Sequence, residues 1–337
     1  MNLYGKTVLV TGGAGFIGSE VVRQLCNMKY VKVKVLDDLS FGLLSNISRN
    51  AEFIKGDIRN KEIVKNCLKS VDIVFHFAAL PFIPHSYLDP ENIFTVNANG
   101  TLILVREAIK SKVKSFVFIS SSEVYGTAQY VPMDENHPTL PHSTYATSKL
   151  AAERLAYTIS KEHDLPLIIL RPFNTYGLRD SHPRIIPEII SQLTKRDKLY
   201  VGNVKSARDM THVSDIARGI IMSVKQNTVG EVINLGSGTE ISVKELIEKI
   251  AQILGKDNYE IKVVKPRLRP FDVQRLYASI KKAKKLLNWE PKISLEEGLN
   301  KTIKWFISAK KWRWELEDYQ KKKMGIPSGY INPSAGG

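Results

Sequence analysis

The stretch Thr7-Val8-Leu9-Val10-Thr11-Gly12-Gly13-Ala14-Gly15-Phe16-Ile17-Gly18 decides how this chain is read. Five strand-forming residues run into spaced glycines, and an amphipathic helical pattern follows at 19–28. Gly12 permits a tight turn, Gly15 lets a backbone approach a pyrophosphate, and Gly18 lets the helix pack closely on the strand. The helix start offers unpaired N–H groups and a positive dipole end to phosphate, and Phe16 and Ile17 just before it join the glycines as expected cofactor contacts. A glycine pattern alone is weak, and its place between strand and helix gives it meaning. About twenty residues on, the second strand ends in Asp37-Asp38. A carboxylate there bonds ribose hydroxyls and repels a 2′-phosphate, so NAD is expected rather than NADP.

Working outward, short β-rich runs alternate with helical stretches through the first 175 residues. Strands are expected at Thr7–Thr11, Lys32–Asp37, Glu52–Lys55, 73–77, 116–120 and 167–170, with a helix at 97–110. This alternation predicts an α/β chain with a Rossmann-type, doubly wound parallel sheet. Beyond Asn174 the rhythm changes. Helices are expected at 186–195, 279–287 and 295–314, and strands at 199–201, 231–235 and 262–265. Ser242 with Glu245 three residues on marks a capping box. The expected organisation is a dinucleotide domain over 1–175, a smaller C-terminal α/β substrate domain over 176–320, and a loose tail over 321–337. The boundary at 171–177 is soft, because the segment around 205–240 returns to the sheet.

Hydrophobic residues at 43% and charged residues at 25% place the chain among ordinary globular proteins. No apolar run approaches the roughly 18 to 20 residues that span a bilayer. Residues 1–6 lead straight into a strand without a leader pattern. Cys26 and Cys67 lack paired spacing and read as core thiols of a reduced compartment, so a cytoplasmic location and no metal site are expected. The net charge of +15 raises a nucleic-acid reading. The lysines are spread out, however, with neither aromatic interleaving nor zinc-finger spacing, so nucleic acid and membrane are not expected partners.

The chemistry is carried further on. The expected strand 116–120 ends in Ser120-Ser121-Ser122-Glu123-Val124-Tyr125-Gly126, and Tyr145-Ala146-Thr147-Ser148-Lys149 lies in a helix-forming segment. Tyrosine and lysine four apart share one helical face. An ammonium beside a phenol favours the phenolate, so Tyr145 is the expected base and Lys149 its partner.

Together these motifs, with Gly56-Asp57, His76-Phe77-Ala78-Ala79 and Arg171-Pro172-Phe173-Asn174-Thr175-Tyr176-Gly177, resemble the extended short-chain dehydrogenases/reductases, the NAD-dependent epimerase/dehydratase family. The resemblance covers nearly the whole chain. It implies that Asp57 and Ile58 flank the adenine, that Ala78 and Ala79 line the cofactor, and that Asn97 supports the site. Ser121 and Tyr145 would contact the sugar 4-hydroxyl, while Asn174, Arg208 and Arg269 would hold a diphosphate. A nucleotide sugar is the implied substrate, and a homodimer built on 97–110 and 145–161 the implied assembly.

Glu123 separates the possible outcomes. Relatives that only epimerise C4 carry a small apolar residue there, whereas a carboxylate resembles the 4,6-dehydratases and the uronate decarboxylases. Dehydration needs a base for the C5 proton, which Glu123 supplies. Glucose-type dehydratases place an aspartate beside the glutamate, where this chain has Ser122. The fragments 83–87 (with His85) and 126–132, together with Tyr176, resemble enzymes acting on UDP-N-acetylglucosamine. A 4,6-dehydratase of that type is expected. The alternatives are C4 oxidation and C6 reduction with C5 inversion on a 5,6-unsaturated UDP-sugar, C4 epimerisation, and uronate decarboxylation. An NAD-holding sensor without turnover would not need the Tyr145–Lys149 pair.

Overall fold

The computed structural model describes residues 3–180, 184–268 and 271–309. Its main sheet has seven strands, all parallel, in the order Val232–Leu235, Leu167–Pro172, Ser115–Ile119, Ile73–His76, Thr7–Thr11, Lys32–Asp37, Glu52–Lys55. Val, Ile and Phe dominate these strands, and Ile73–His76 and Ser115–Ile119 are buried throughout. Strands covered on both faces require such continuous apolar runs. Alternate residues serve opposite cores. Val8 and Val10 pack with Val21, Val22 and Ile216 on one face. Leu9 packs with Val64, Leu104 and Ala152 on the other.

The chain winds outward in one direction from Thr7–Thr11 through Lys32–Asp37 and in the other from Ile73–His76. The sheet therefore has its topological switch between Thr7–Thr11 and Ile73–His76, which is where a ligand crevice forms in an open α/β sheet. Val232–Leu235 returns from the second half of the chain to complete the sheet beside Leu167–Pro172.

A second core joins three helices, Ile185–Lys195, Val243–Leu254 and Leu295–Ser308, through Ile189, Leu246, Ile250, Ile303 and Phe306. Small sheets flank it, including Lys198–Val201 paired in parallel with Glu260–Val263. The capping box forms, with Glu245 N donating to Ser242 Oγ at 3.2 Å and Ser242 N to Glu245 Oε2 at 2.9 Å.

Several expected boundaries move for identifiable reasons. The strand expected at 262–265 lies at Glu260–Val263, because its register is set by pairing Glu260 with Lys198. The helix expected from 97 is α-helical only from Gly100, after a π-helical stretch Thr95–Asn99. There the Asn97 carbonyl accepts the Thr101 hydroxyl at 2.6 Å and the Asn97 side chain turns away to Leu80. The helix expected at 279–287 begins at Lys281. The part of 295–314 beyond 309 and the tail 321–337 lie outside the described residues.

Glu20 ties the first helix, Phe16–Cys26, to the second half of the molecule. It accepts from Arg23 Nε at 2.8 Å and Gln24 Nε2 at 2.9 Å, and it pairs with Arg179. Gln24 in turn donates to Ser214 O at 3.0 Å. Burial would push the Glu20 carboxyl up, but the hydrogen bonds from Arg23 and Gln24 and the charges of Arg23 and Arg179 outweigh it and hold it at about 2. A carboxyl depressed on folding stabilises above its unfolded value, and that contribution disappears as pH falls through the folded value. Glu20 therefore contributes on the order of 2 kcal/mol at neutral pH, allowing for the half-exposed Arg23. In calorimetry, Glu20→Gln is expected to lower the neutral-pH Tm and to flatten its fall between pH 4.5 and about 2. Parallel curves for the two proteins would contradict the assignment.

Candidate active site

A cleft of about 400 Å³ opens at the carboxyl edge of the sheet, over the switch point. Its first wall is the glycine loop. Gly12 has φ +70°, and a Cβ there would sit 2.6 Å from Ala78 N. At Gly18 a Cβ would meet Gly12 O at 2.3 Å, so only glycine lets the helix start against the turn. Gly12, Gly15, Phe16, Ile17 and Gly18 all line the cleft, with Ala78 and Ala79 opposite.

Asp37 and Asp38 also line it, and Asp37 has a second task. Its Oδ2 accepts from Ala14 N at 2.9 Å and its Oδ1 from Leu39 N at 2.8 Å, so the carboxylate ties the glycine loop to the next strand. Burial pushes this carboxyl up, and the two amide bonds oppose that. A carboxylate has about four acceptor sites, which leaves capacity for ribose hydroxyls. Exposed Asp38 accepts from Ser40 N and Oγ at 2.8 and 2.6 Å. Asp57 and Ile58 close this end, with Asp57 gripping Arg59 through Nε at 2.9 Å and Nη2 at 2.6 Å.

Asn97 stands behind the wall. Its Oδ1 accepts from Leu80 N at 2.8 Å and its Nδ2 donates to Ser148 Oγ at 2.9 Å. It thereby fixes the 80s loop against the helix Thr144–Glu162, which carries Tyr145 and Lys149. His76, buried beneath, bridges Thr11 Oγ1 at 2.7 Å and Thr101 Oγ1 at 2.8 Å.

The reacting end gathers Ser120, Ser121, Ser122, Glu123, Tyr145 and Lys149. Ser121 caps the short turn Ser122–Tyr125, accepting from Glu123 N at 3.2 Å, and this turns Glu123 into the cleft. Tyr145 and Lys149 stand one turn apart on the helix Thr144–Glu162, as expected. Burial pushes the phenol up, and the groups that oppose this are the Ser121 hydroxyl and the charge of Arg184, while Glu123 adds to the rise. Burial likewise pushes Lys149 down to about 7, against the charge of Glu153. The Lys149 ammonium lies 4.5 Å over the Phe118 ring, a cation–π contact that favours the charge, so loss of water around it is what lowers the group.

The substrate end comes from the second half of the chain. Asn174 Oδ1 is buried there with no hydrogen-bond partner among the described residues. Arg208 lines the same end, but its guanidinium already donates to Val273 O at 2.7 Å and Ala207 O at 2.9 Å. Arg269 lies outside the described residues. His85 is not among the cleft's lining residues. It sits on the short helix Ile83–Leu88 facing Phe41 at 6.0 Å, while its neighbours Ile83 and Pro84 reach the cleft.

Sequence reasoning missed Arg184, Glu188 and Arg267, all of which line the cleft. Arg184 and Glu188 stand four apart at the start of Ile185–Lys195, and Glu188 pairs with Arg267 from a distant segment. The i,i+4 spacing was visible, but nothing in the chain announced that this face meets a ligand. Tyr176 lies in the second core, its hydroxyl donating to Leu295 O at 3.2 Å.

Cys26 and Cys67 are free thiols at helix ends. Among the described residues, no helix is long and apolar enough to cross a membrane.

The family model for GDP-mannose 4,6 dehydratase matches residues 9–302. A putative UDP-glucose 4-epimerase of Methanocaldococcus jannaschii is 34% identical over 304 residues, covering 88% of this chain and 97% of the relative. The human dTDP-D-glucose 4,6-dehydratase is 32% identical over 317 residues, covering 90% of each. Among solved structures, a dTDP-glucose 4,6-dehydratase of Streptomyces venezuelae with NAD bound superposes with a TM-score of 0.86 at 30% identity. That match covers 92% of this chain and 99% of the other.

Gly18→Ala is expected to weaken NAD binding at least tenfold, about 1.4 kcal/mol, because the added methyl displaces the helix start from the turn. Titration calorimetry with NAD checks this, and an unchanged affinity would contradict the geometry.

Proposed function

Because the chain belongs to the NAD-dependent GDP-mannose 4,6 dehydratase family of extended short-chain dehydrogenases/reductases, we propose that it is a nucleotide-sugar 4,6-dehydratase acting on a UDP-amino sugar of the UDP-N-acetylglucosamine type. Glu123 carries this reading. A carboxylate stands in the cleft on the turn next to Ser121, close enough for its charge to act on Tyr145. Epimerisation at C4 has no use for a second base, whereas dehydration does.

Bound NAD supplies the hydride acceptor at C4 and the donor at C6, and the glycine loop, Asp37, Ala78 and the Asn174 end provide a cleft that fits it and a nucleotide sugar. The protein's own groups then divide the proton work. Tyr145, with Ser121 beside it, takes the C4 hydroxyl proton as C4 becomes a ketone. The ketone acidifies C5–H, and Glu123 takes that proton. The C6 hydroxyl leaves as water, and with Ser122 in place of a second carboxyl, the proton on Glu123 is the one at hand for it. Hydride reaches C6, and the proton held by Tyr145 is the one left to replace that lost from C5, so the net change is loss of one water. In this proposal Asn174 Nδ2 donates to the diphosphate and Arg208 lends it its positive charge. In this proposal residues 176–320 form the nucleotide-sugar unit and the enzyme works in the cytoplasm. The assembly is a homodimer through 97–110 and 145–161, and light scattering at monomer mass would refute that.

C4 epimerisation is the second reading, favoured by Ser122 and by the match to the archaeal epimerase. A panel of UDP-, dTDP- and GDP-sugars followed by mass spectrometry identifies the substrate and separates the two. Loss of one water supports the dehydratase, and an unchanged mass with turnover supports the epimerase. Glu123→Gln is expected to cut dehydration by at least about 100-fold in kcat, with KM little changed, since base catalysis typically contributes that much. Full activity in that variant would remove the basis of the reading.

A further inference from the structure

Behind Lys149 lies a buried charge arrangement that the proton steps above do not use. Glu153 follows Lys149 by four residues on the helix Thr144–Glu162, one turn on along the same face, and its side chain is 0% exposed. Its Oε2 accepts from Ser120 Oγ at 2.7 Å and from Arg171 Nε at 3.0 Å, and its Oε1 accepts from Arg171 Nη2 at 2.5 Å. Arg171 lies over the Tyr125 ring at 4.7 Å, and Tyr125 Oη donates to Asn234 Oδ1 at 2.8 Å. The carboxylate is thus fixed from two strand segments at once, beneath the cleft-lining Ser120 and Lys149.

A buried ion pair is a poor way to gain stability, because desolvating both charges offsets most of their attraction. Its placement suggests another use. The charged and titratable groups around Lys149 are Tyr145 and Glu153 on its own helix, His76 from one strand and Arg171 from another. Glu123 lies beyond Tyr145 on the serine turn. His76 is held neutral by burial and by the Lys149 charge, and Arg171 carries the same sign as Lys149. Among those neighbours Glu153 is the negative charge fixed in place.

We propose that Glu153 is a positioning residue that acts through Lys149, its carboxylate fixed by Ser120 and Arg171 one helical turn away so that its charge supports the buried ammonium, with Arg171 offsetting part of that charge. Burial drives Lys149 toward the neutral amine, and the charge of Glu153 is what opposes it. Arg171 sets how much of that carboxylate charge Lys149 feels. The inference rests on Tyr145 and Lys149 being the reacting pair. It does not depend on which sugar is turned over.

The test follows the Lys149 titration directly, by NMR of NAD-loaded enzyme labelled with ε-13C lysine, the resonance assigned with Lys149→Arg. No substrate is needed, so a failed dehydratase reading leaves the result intact. Glu153→Gln is expected to move the Lys149 midpoint down by at least about one pH unit. Arg171→Gln, which releases the carboxylate from its partner, is expected to move it up. A Lys149 midpoint unchanged in the folded Glu153→Gln protein overturns the proposal, even if its Tm falls. Where Glu153→Gln does not fold, Glu153→Asp keeps the charge at shorter reach. A downward shift in that variant supports the proposal, and a wild-type midpoint overturns it.

Discussion

All seven strands of the main sheet run the same way, so every strand ends on one edge and every helix that follows a strand begins near it. That constraint concentrates backbone N–H groups, turns and loop side chains at a single rim. The rest of the molecule is arranged around it. At Gly12 the chain leaves the sheet with no room for a side chain against Ala78. Asp37 reaches back from the next strand to hold the same loop by its Ala14 amide. The cofactor wall is therefore a consequence of the strand order, fastened by one buried carboxylate.

The other half of the cleft is made by chain that has left the sheet and come back. Val232–Leu235 returns to pair with Leu167–Pro172, so the helices before and after it are anchored to the dinucleotide unit. Glu20, Arg179 and Gln24 fasten the same two halves on the side of the first helix. In the proposed reading a nucleotide sugar bridges them, its reacting carbons over the serine turn and its diphosphate toward Asn174 and Arg208. Dry surroundings at the reacting end push both Tyr145 and Lys149 toward their neutral forms. The charges that oppose this are Arg184 at Tyr145 and Glu153 at Lys149.

Much of this was legible in the chain. The central strands were visible because both faces are buried, which leaves uninterrupted apolar runs such as Ile73–His76 and Ser115–Ile119. The glycine loop, the acidic strand end, the serine turn and the Tyr145–Lys149 pair are local patterns whose spacing carries their geometry. What stayed hidden was set by distant contacts. Arg267 reaches the cleft only because its segment packs against Gly202, where a Cβ would lie 2.4 Å from Arg267 O. Glu153 reads as an ordinary helical glutamate until Arg171, eighteen residues on, folds over it. The spacing that placed Lys149 beside Tyr145 does not reveal how dry its surroundings are. His85 is not among the cleft-lining residues, although Ile83 and Pro84 before it are.

The most direct measurement follows one hydrogen. With a nucleotide sugar carrying deuterium at C4, the account predicts that NMR of the product shows deuterium in a new C6 methyl group, moved there within the active site. Deuterium returned to C4, with C6 still hydroxylated, would contradict it and make the enzyme an epimerase.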